Sequence, residues 1–184
     1  MHHKKSIKMK KVVLLFLSSI VLLSCGGDKK KENVETTNEE VISDKGNFSV
    51  VMDAVYKKND SIVFYYTQNG FECTNEQAIK QAITGSDSIQ NITIQLPGNV
   101  ILENFRINLS SDPDQETVLL SKFRIKRNEN IFDIQQVDFS KYLNFNENVS
   151  WDDTLKGFKF ISVKDSYTPR VLGNQGLESK LTEM

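Results

Sequence analysis

The chain has 184 residues, with 23 basic and 24 acidic side chains, two Cys, two His and 39% hydrophobic residues. That is enough for one ordinary domain with its own core, and too little for two of usual size. The first 24 residues hold five Lys and no acid; the rest carries 18 basic and 24 acidic side chains, a net charge of −6. That balance argues against nucleic-acid binding, which is driven by phosphate neutralisation.

The chain begins with a basic segment ending at Lys11, followed by the twelve-residue apolar run Val12 to Leu23, then Ser24 and Cys25. At 1.5 Å per residue such a run reaches about 18 Å, short of a hydrocarbon core about 30 Å thick. It therefore reads as a secretory signal, not a spanning helix; a buried core helix would leave the Lys cluster and Cys25 unexplained. Leu22-Leu23-Ser24-Cys25 resembles the lipobox of bacterial lipoproteins. The resemblance implies that residues 1–24 are removed, that the Cys25 thiol carries a diacylglyceryl group, and that its new amino terminus is acylated. Two or three acyl chains give durable membrane anchoring where one is marginal. Gly26 stands where an Asp would be the usual inner-membrane retention signal, so the outer membrane is the expected destination. Which side of the envelope the protein faces is left open.

With Cys25 lipidated, Cys73 is the one remaining thiol, so no intramolecular disulfide can form and the fold must stand on its core. Cys73 reads as a small, partly buried hydrophobe. Residues 25–46 are almost wholly polar, with too little apolar surface to offset their ordering entropy, and are expected to form a flexible tether. As a random coil it would let the domain stand off roughly 25 Å from the bilayer.

From Phe48 the pattern has period two, the signature of strands. Phe48, Val50, Met52, Ala54 and Tyr56 alternate along a first strand, and Lys57 to Asp60 turn the chain. Ile62, Phe64 and Tyr66 alternate along a second, whose other face, with Val63 and Tyr65, is apolar enough to suggest a central strand covered on both sides. Ile79 to Ile83, Ile92 to Leu96 and Ile101 to Leu109 follow, separated by Gly85-Ser86-Asp87 and Pro97-Gly98-Asn99. Next, Leu119, Phe123 and Ile125 oppose Lys122, Arg124 and Lys126; then come a short strand Phe132 to Ile134 and a late one over Phe158 to Val163. Val137 to Leu143 and Leu177 to Leu181 read as short helices. About eight short strands without intervening helices argue for an all-β antiparallel sandwich over residues 47–184. The run from Asp60 through Leu109, with its strands at Ile62–Tyr66, Ile92–Leu96 and Leu102–Leu109, resembles jelly-roll sandwiches similar to carbohydrate-binding modules. That resemblance implies a fold, and glycan recognition only by analogy.

The chemistry is sparse. Both His, His2 and His3, lie in the leader, so Ser-His-Asp and Cys-His nucleophiles and His-containing zinc sites are excluded from the remainder. No phosphate-binding or dinucleotide glycine pattern is present. A glycoside hydrolase needs two suitably spaced carboxylates, which sequence spacing cannot test on a sandwich. Asp112-Pro113-Asp114-Gln115-Glu116 gathers three carboxylates in one loop, but the spacing is not that of an EF-hand; a solvated turn is preferred to a structural calcium site, and no cofactor is expected. Trp151, in a polar stretch, reads either as a cap on the core or as an exposed ligand contact; Tyr142 and Tyr167 are further candidate contacts. Asp60-Ser61-Ile62, Asp87-Ser88-Ile89 and Asp153-Thr154-Leu155 resemble a bacterial O-glycosylation signal, which makes Ser61, Ser88 and Thr154 candidate acceptors.

The resulting expectation is a lipid-anchored envelope protein with a non-catalytic binding domain, for a glycan or an envelope protein. The alternative is a structural or assembly subunit of an envelope complex, with a carboxylate-dependent glycoside hydrolase more distant. An exposed aromatic row would favour glycan, a contiguous apolar patch an assembly role, and a cleft with facing carboxylates the hydrolase.

Overall fold

The structure is a computed structural model that describes residues 47–68, 70, 72–162 and 167–184. The expected signal peptide (residues 1–24), Cys25 and the expected tether lie outside the described residues. The chain forms the antiparallel β-sandwich that its alternation predicts, with two short helices. Its strands are β1 (Phe48–Val55), β2 (Asp60–Thr67), β3 (Ala78–Ile83), β4 (Gln90–Gln95), β5 (Asn104–Asn108), β6 (Thr117–Arg127), β7 (Asn130–Asp133), β8 (Leu143–Phe145), β9 (Val149–Asp152), β10 (Gly157–Phe160) and β11 (Arg170–Gly173). The helices are α1 (Phe139–Tyr142) and α2 (Gln175–Thr182).

The first sheet runs β4-β1-β6-β10-β9, and the second β3-β2-β5-β11-β8. The long strand β6 pairs with β1 along one edge; its other edge is shared, β10 taking Thr117 to Leu119 and β7 taking Arg124 to Arg127. Inward residues of β1 (Phe48, Val50, Met52, Ala54) meet those of β2 and β5 (Ile62, Phe64, Phe105, Ile107) in one core. Phe105 bridges the layers, 5.3 Å from Phe64 and 5.9 Å from Phe123 between ring centroids. Each such fully buried large side chain contributes about 1.5–3 kcal/mol. At one end, Phe139, Phe145, Trp151 and Phe158 form an aromatic cluster that seats α1 against the sandwich.

The eleven strands among the described residues exceed the eight expected, because β8, β9 and β11 are three or four residues long and too short to show a period. The segment 101–109 is strand only from Asn104, the helix expected from Val137 begins as a 3-10 turn and becomes α1, and the late strand ends at Phe160. Val163 lies outside the described residues.

One departure from simple alternation shapes the surface. Between Asp53 and Ala54 the β1–β6 register shifts: Asp53 faces Lys122, but Ala54 faces Leu120, so Ser121 is left over as a bulge. Its hydroxyl donates to the Asp53 carbonyl at 3.1 Å. Because side chains alternate faces, the extra residue puts Leu120 in the core and turns Leu119 outward beside Val55. This corrects the expectation that Leu119 shares the inner face of Phe123 and Ile125.

Candidate functional site

The outward Leu119 and Val55 form the floor of a depression of about 450 Å³ on the outer face of the first sheet. Ile89, from the β3–β4 connection, and Leu155 and Lys156, from the β9–β10 turn, wall it on either side; Asp53, Ser121 and Gln136 supply polar edges. The size lies within the usual range of ligand pockets, roughly 300–1,000 Å³. Ile89 is 63% exposed and Leu155 41%. Ser121 and Gln136 also border a second, mostly polar hollow lined with Gln135 and Val137, the latter 89% exposed.

The walls are held by local chemistry. In the β9–β10 turn, Asp152 Oδ1 accepts from the backbone N–H of Thr154 (2.8 Å) and Leu155 (2.9 Å), while its other oxygen lies 2.5 Å from Lys159 Nζ. The Lys159 ammonium and these N–H groups hold the Asp152 carboxyl below the usual carboxylate range. Lys156 closes the turn with φ +54°, and Gly157 lets the hairpin lie against β6, where a Cβ would stand 2.6 Å from the Val118 carbonyl oxygen. At the polar edge, Asp53 is tied to Arg124 at 3.0 Å and to Lys122 at 4.0 Å. Asp53 is the depression's one carboxylate lining residue, so no facing pair for glycoside hydrolysis stands there.

The candidate aromatics are placed separately. Trp151 packs edge-on against Phe139 (4.9 Å) and Phe158 (5.3 Å), and its indole N–H donates to Asp153 at 3.0 Å; it caps the aromatic cluster. Tyr142 packs edge-on against Phe132 with Lys141 over its ring. Tyr167 packs against Phe160, and its hydroxyl lies 2.9 Å from both Ser110 Oγ and the Gln115 carbonyl oxygen. Among the described residues no ring contact joins these three, and the exposed large hydrophobic residues are all aliphatic.

Of the three hydroxyls, Ser61 is 7% exposed in β2, its Oγ 2.8 Å from Ser111 Oγ, whereas Ser88 and Thr154 are exposed. Ser88 and Thr154 each directly precede an aliphatic wall of the depression, Ile89 and Leu155. In the acidic loop, Asp112 Oδ1 accepts from Asp114 N–H, Asp114 pairs with Lys58 at 3.9 Å, and Gln115 is buried with Oε1 accepting from Lys58 N–H. Among the described residues no group of three or more His, Cys, Asp or Glu side chains could hold a metal ion. Cys73 is a half-buried free thiol; burial pushes it up, with Arg106 pulling the other way.

Alternation does not reveal the depression, because its floor depends on the Ser121 bulge; two of the three Asp-hydroxyl-aliphatic triplets end on its walls, at Ile89 and Leu155, whereas Ile62, which ends the third, is in the core. Comparison with protein families, with curated proteins and with solved structures finds no match for this chain.

Proposed function

We propose that this protein is a lipid-anchored envelope lipoprotein whose sandwich is a non-catalytic docking module, taking an aliphatic segment of an envelope protein in the depression over Leu119. The observation that carries the reading is the lining itself: Val55, Ile89, Leu119 and Leu155 offer four aliphatic side chains and no ring. A neutral pyranose is held by an aromatic face with polar groups around it, whereas branched aliphatic chains are matched by other aliphatic chains. The position of Asp53 and Lys156 at the edge supplies orientation by charge without placing a titratable pair where bonds could be cleaved. The lipobox supports the anchor and Gly26 the outer membrane.

The test is site-specific photocrosslinking in cells producing the full chain, with the reactive side chain at Ile89 or Leu155, and at Lys80 on the opposite sheet as a control. Discrete protein adducts at the two depression positions, absent at Lys80 and suppressed from Leu155 by Ile89→Asp, are expected. No adduct, equal adducts at Lys80, or an adduct of twice the chain's own mass would overturn the reading, the last by making the partner a second copy.

A further inference from the structure

The outer face of the second sheet carries a different chemistry. Register places Lys80, Val63, Asn108 and Arg170 in one row across β3, β2, β5 and β11, and Ala78, Tyr65, Arg106 and Leu172 in the next. Arg106 and Arg170 are therefore diagonal neighbours, a separation of about 7–8 Å that long side chains span. In the five strands of this sheet the one acidic residue is Asp60. Its carboxylate is already committed, accepting from Ser110 Oγ (2.5 Å) and from the backbone N–H of Ser61 (2.7 Å) and Ser111 (2.8 Å).

The contrast with the first sheet is direct. There Lys122, Arg124 and Lys159 each lie within 4.0 Å of a carboxylate. Among the described residues no ion pair reaches Lys80, Arg106 or Arg170. Arg106 is held in place by its stack on the Tyr65 ring, 3.9 Å from the centroid. The Nε atoms of Arg106 and Arg170 and Oδ1 of Asn108 are buried with no protein hydrogen-bond partner. Arg124 Nε shares that condition, but its guanidinium has Asp53 as counter-charge. Two half-buried guanidiniums, each with its Nε unpartnered and no carboxylate beside it, are cations whose terminal N–H groups a planar oxyanion can satisfy bidentately. This occurs on a domain whose residues 47–184 carry 14 basic and 18 acidic side chains, so diffuse positive charge does not explain it.

We propose that this face binds an acidic polysaccharide, with a carboxylate or sulfate seated between Arg106 and Arg170 and sugar hydroxyls bonded by the amides of Asn108 and Asn144. The charges favour an oxyanion, and the run of amides beside them on one open sheet face suits a polyhydroxylated chain. The site lies on the sheet opposite the depression and is independent of it.

The experiment is affinity electrophoresis of the detergent-solubilised full chain through gels containing polygalacturonate, dextran sulfate or neutral dextran, with flotation on phosphatidylglycerol vesicles of the unlipidated Cys25→Ser chain as a lipid arm. Retardation by at least one acidic polymer and not by dextran is expected, the polymer that retards identifying carboxylate or sulfate. Arg170→Gln weakens it by at least about tenfold, the scale of losing one charge-assisted bond pair, and Arg170→Lys does not restore it. Ile89→Asp leaves it unchanged, which separates failure here from failure of the docking reading. Lys80→Gln weakens binding without touching the Tyr65 stack, so the test stands even where Arg106→Gln impairs folding. Absence of retardation by both acidic polymers, retention of full binding in Arg170→Gln, or flotation on the vesicles without polymer binding would overturn the proposal.

Discussion

The Tyr167 hydroxyl, against Ser110 and Gln115, joins a network in which Asp60 gathers the start of β2 and the β5–β6 connection. Burial, with Asp60 and Asp112 nearby, pushes the Tyr167 phenol up to about 12 against the opposing bond from Ser110. Tyr56, fully buried and donating to the Leu109 carbonyl at 2.9 Å, is displaced in the same direction, again chiefly by burial. An unfolded tyrosine titrates near 10. The folded chain therefore keeps these protons to higher pH than the unfolded chain, so their contribution to stability is intact below about pH 10 and is lost as pH rises toward about 12 and beyond. Denaturant unfolding across an alkaline series, followed beside tyrosinate absorbance, is expected to show level stability to about pH 10 and a decline above it. Tyr167→Phe should make that decline shallower. Stability that rises above pH 10 would contradict the assignment.

At the scale of elements, the bulge at Ser121 and the β9–β10 hairpin act together. The bulge turns Leu119 outward, and the hairpin brings Leu155 over it only because residue 157 has no side chain. A Cβ there would stand 2.6 Å from the Val118 carbonyl oxygen and 3.0 Å from Leu119 Cα, both backbone atoms that cannot step aside alone. Gly157→Ala is thus expected to destabilise the domain by about 2 kcal/mol, the usual scale of forced overpacking. It should also weaken crosslinking from Leu155 more than from Ile89, since the hairpin is what moves. Equal stability by denaturant titration would show that the hairpin relaxes freely.

For the whole molecule, the two outer faces differ in kind: one pairs Lys122, Arg124 and Lys159 with carboxylates beside an aliphatic depression, the other carries Arg106 and Arg170 with none. On the proposed reading, a domain so divided would hold a protein on one side and an acidic glycan on the other, with acylation of Cys25 keeping it at the membrane. That arrangement depends on Cys25. The Cys25→Ser chain is expected to lose metabolic labelling with palmitate and to move from the membrane to the soluble fraction, because the anchoring energy, about 0.8 kcal/mol per buried CH₂, resides in the acyl chains. A Cys25→Ser chain that stays with the membrane would remove the anchor from the reading.

Alternation in β1, β2 and β4 made the sandwich legible, since one face of each strand must be buried and period two writes that requirement directly into residue order. The leader's charge and apolar length, with Cys25, are what the proposed export and anchor rest on. Tyr65, whose apolar character suggested a strand covered on both sides, shows the limit: its outer face is half-buried under Arg106, a contact made across strands. The same holds for Leu119, exported by a bulge that local pattern does not reveal, and for Arg106 and Arg170, 64 positions apart in the chain yet diagonal on one sheet. Period in the sequence shows which face of an unbroken strand can be buried; only tertiary structure decides which strands adjoin and where a bulge reverses the faces, and hence which charges go unmatched and where an aliphatic floor opens to solvent.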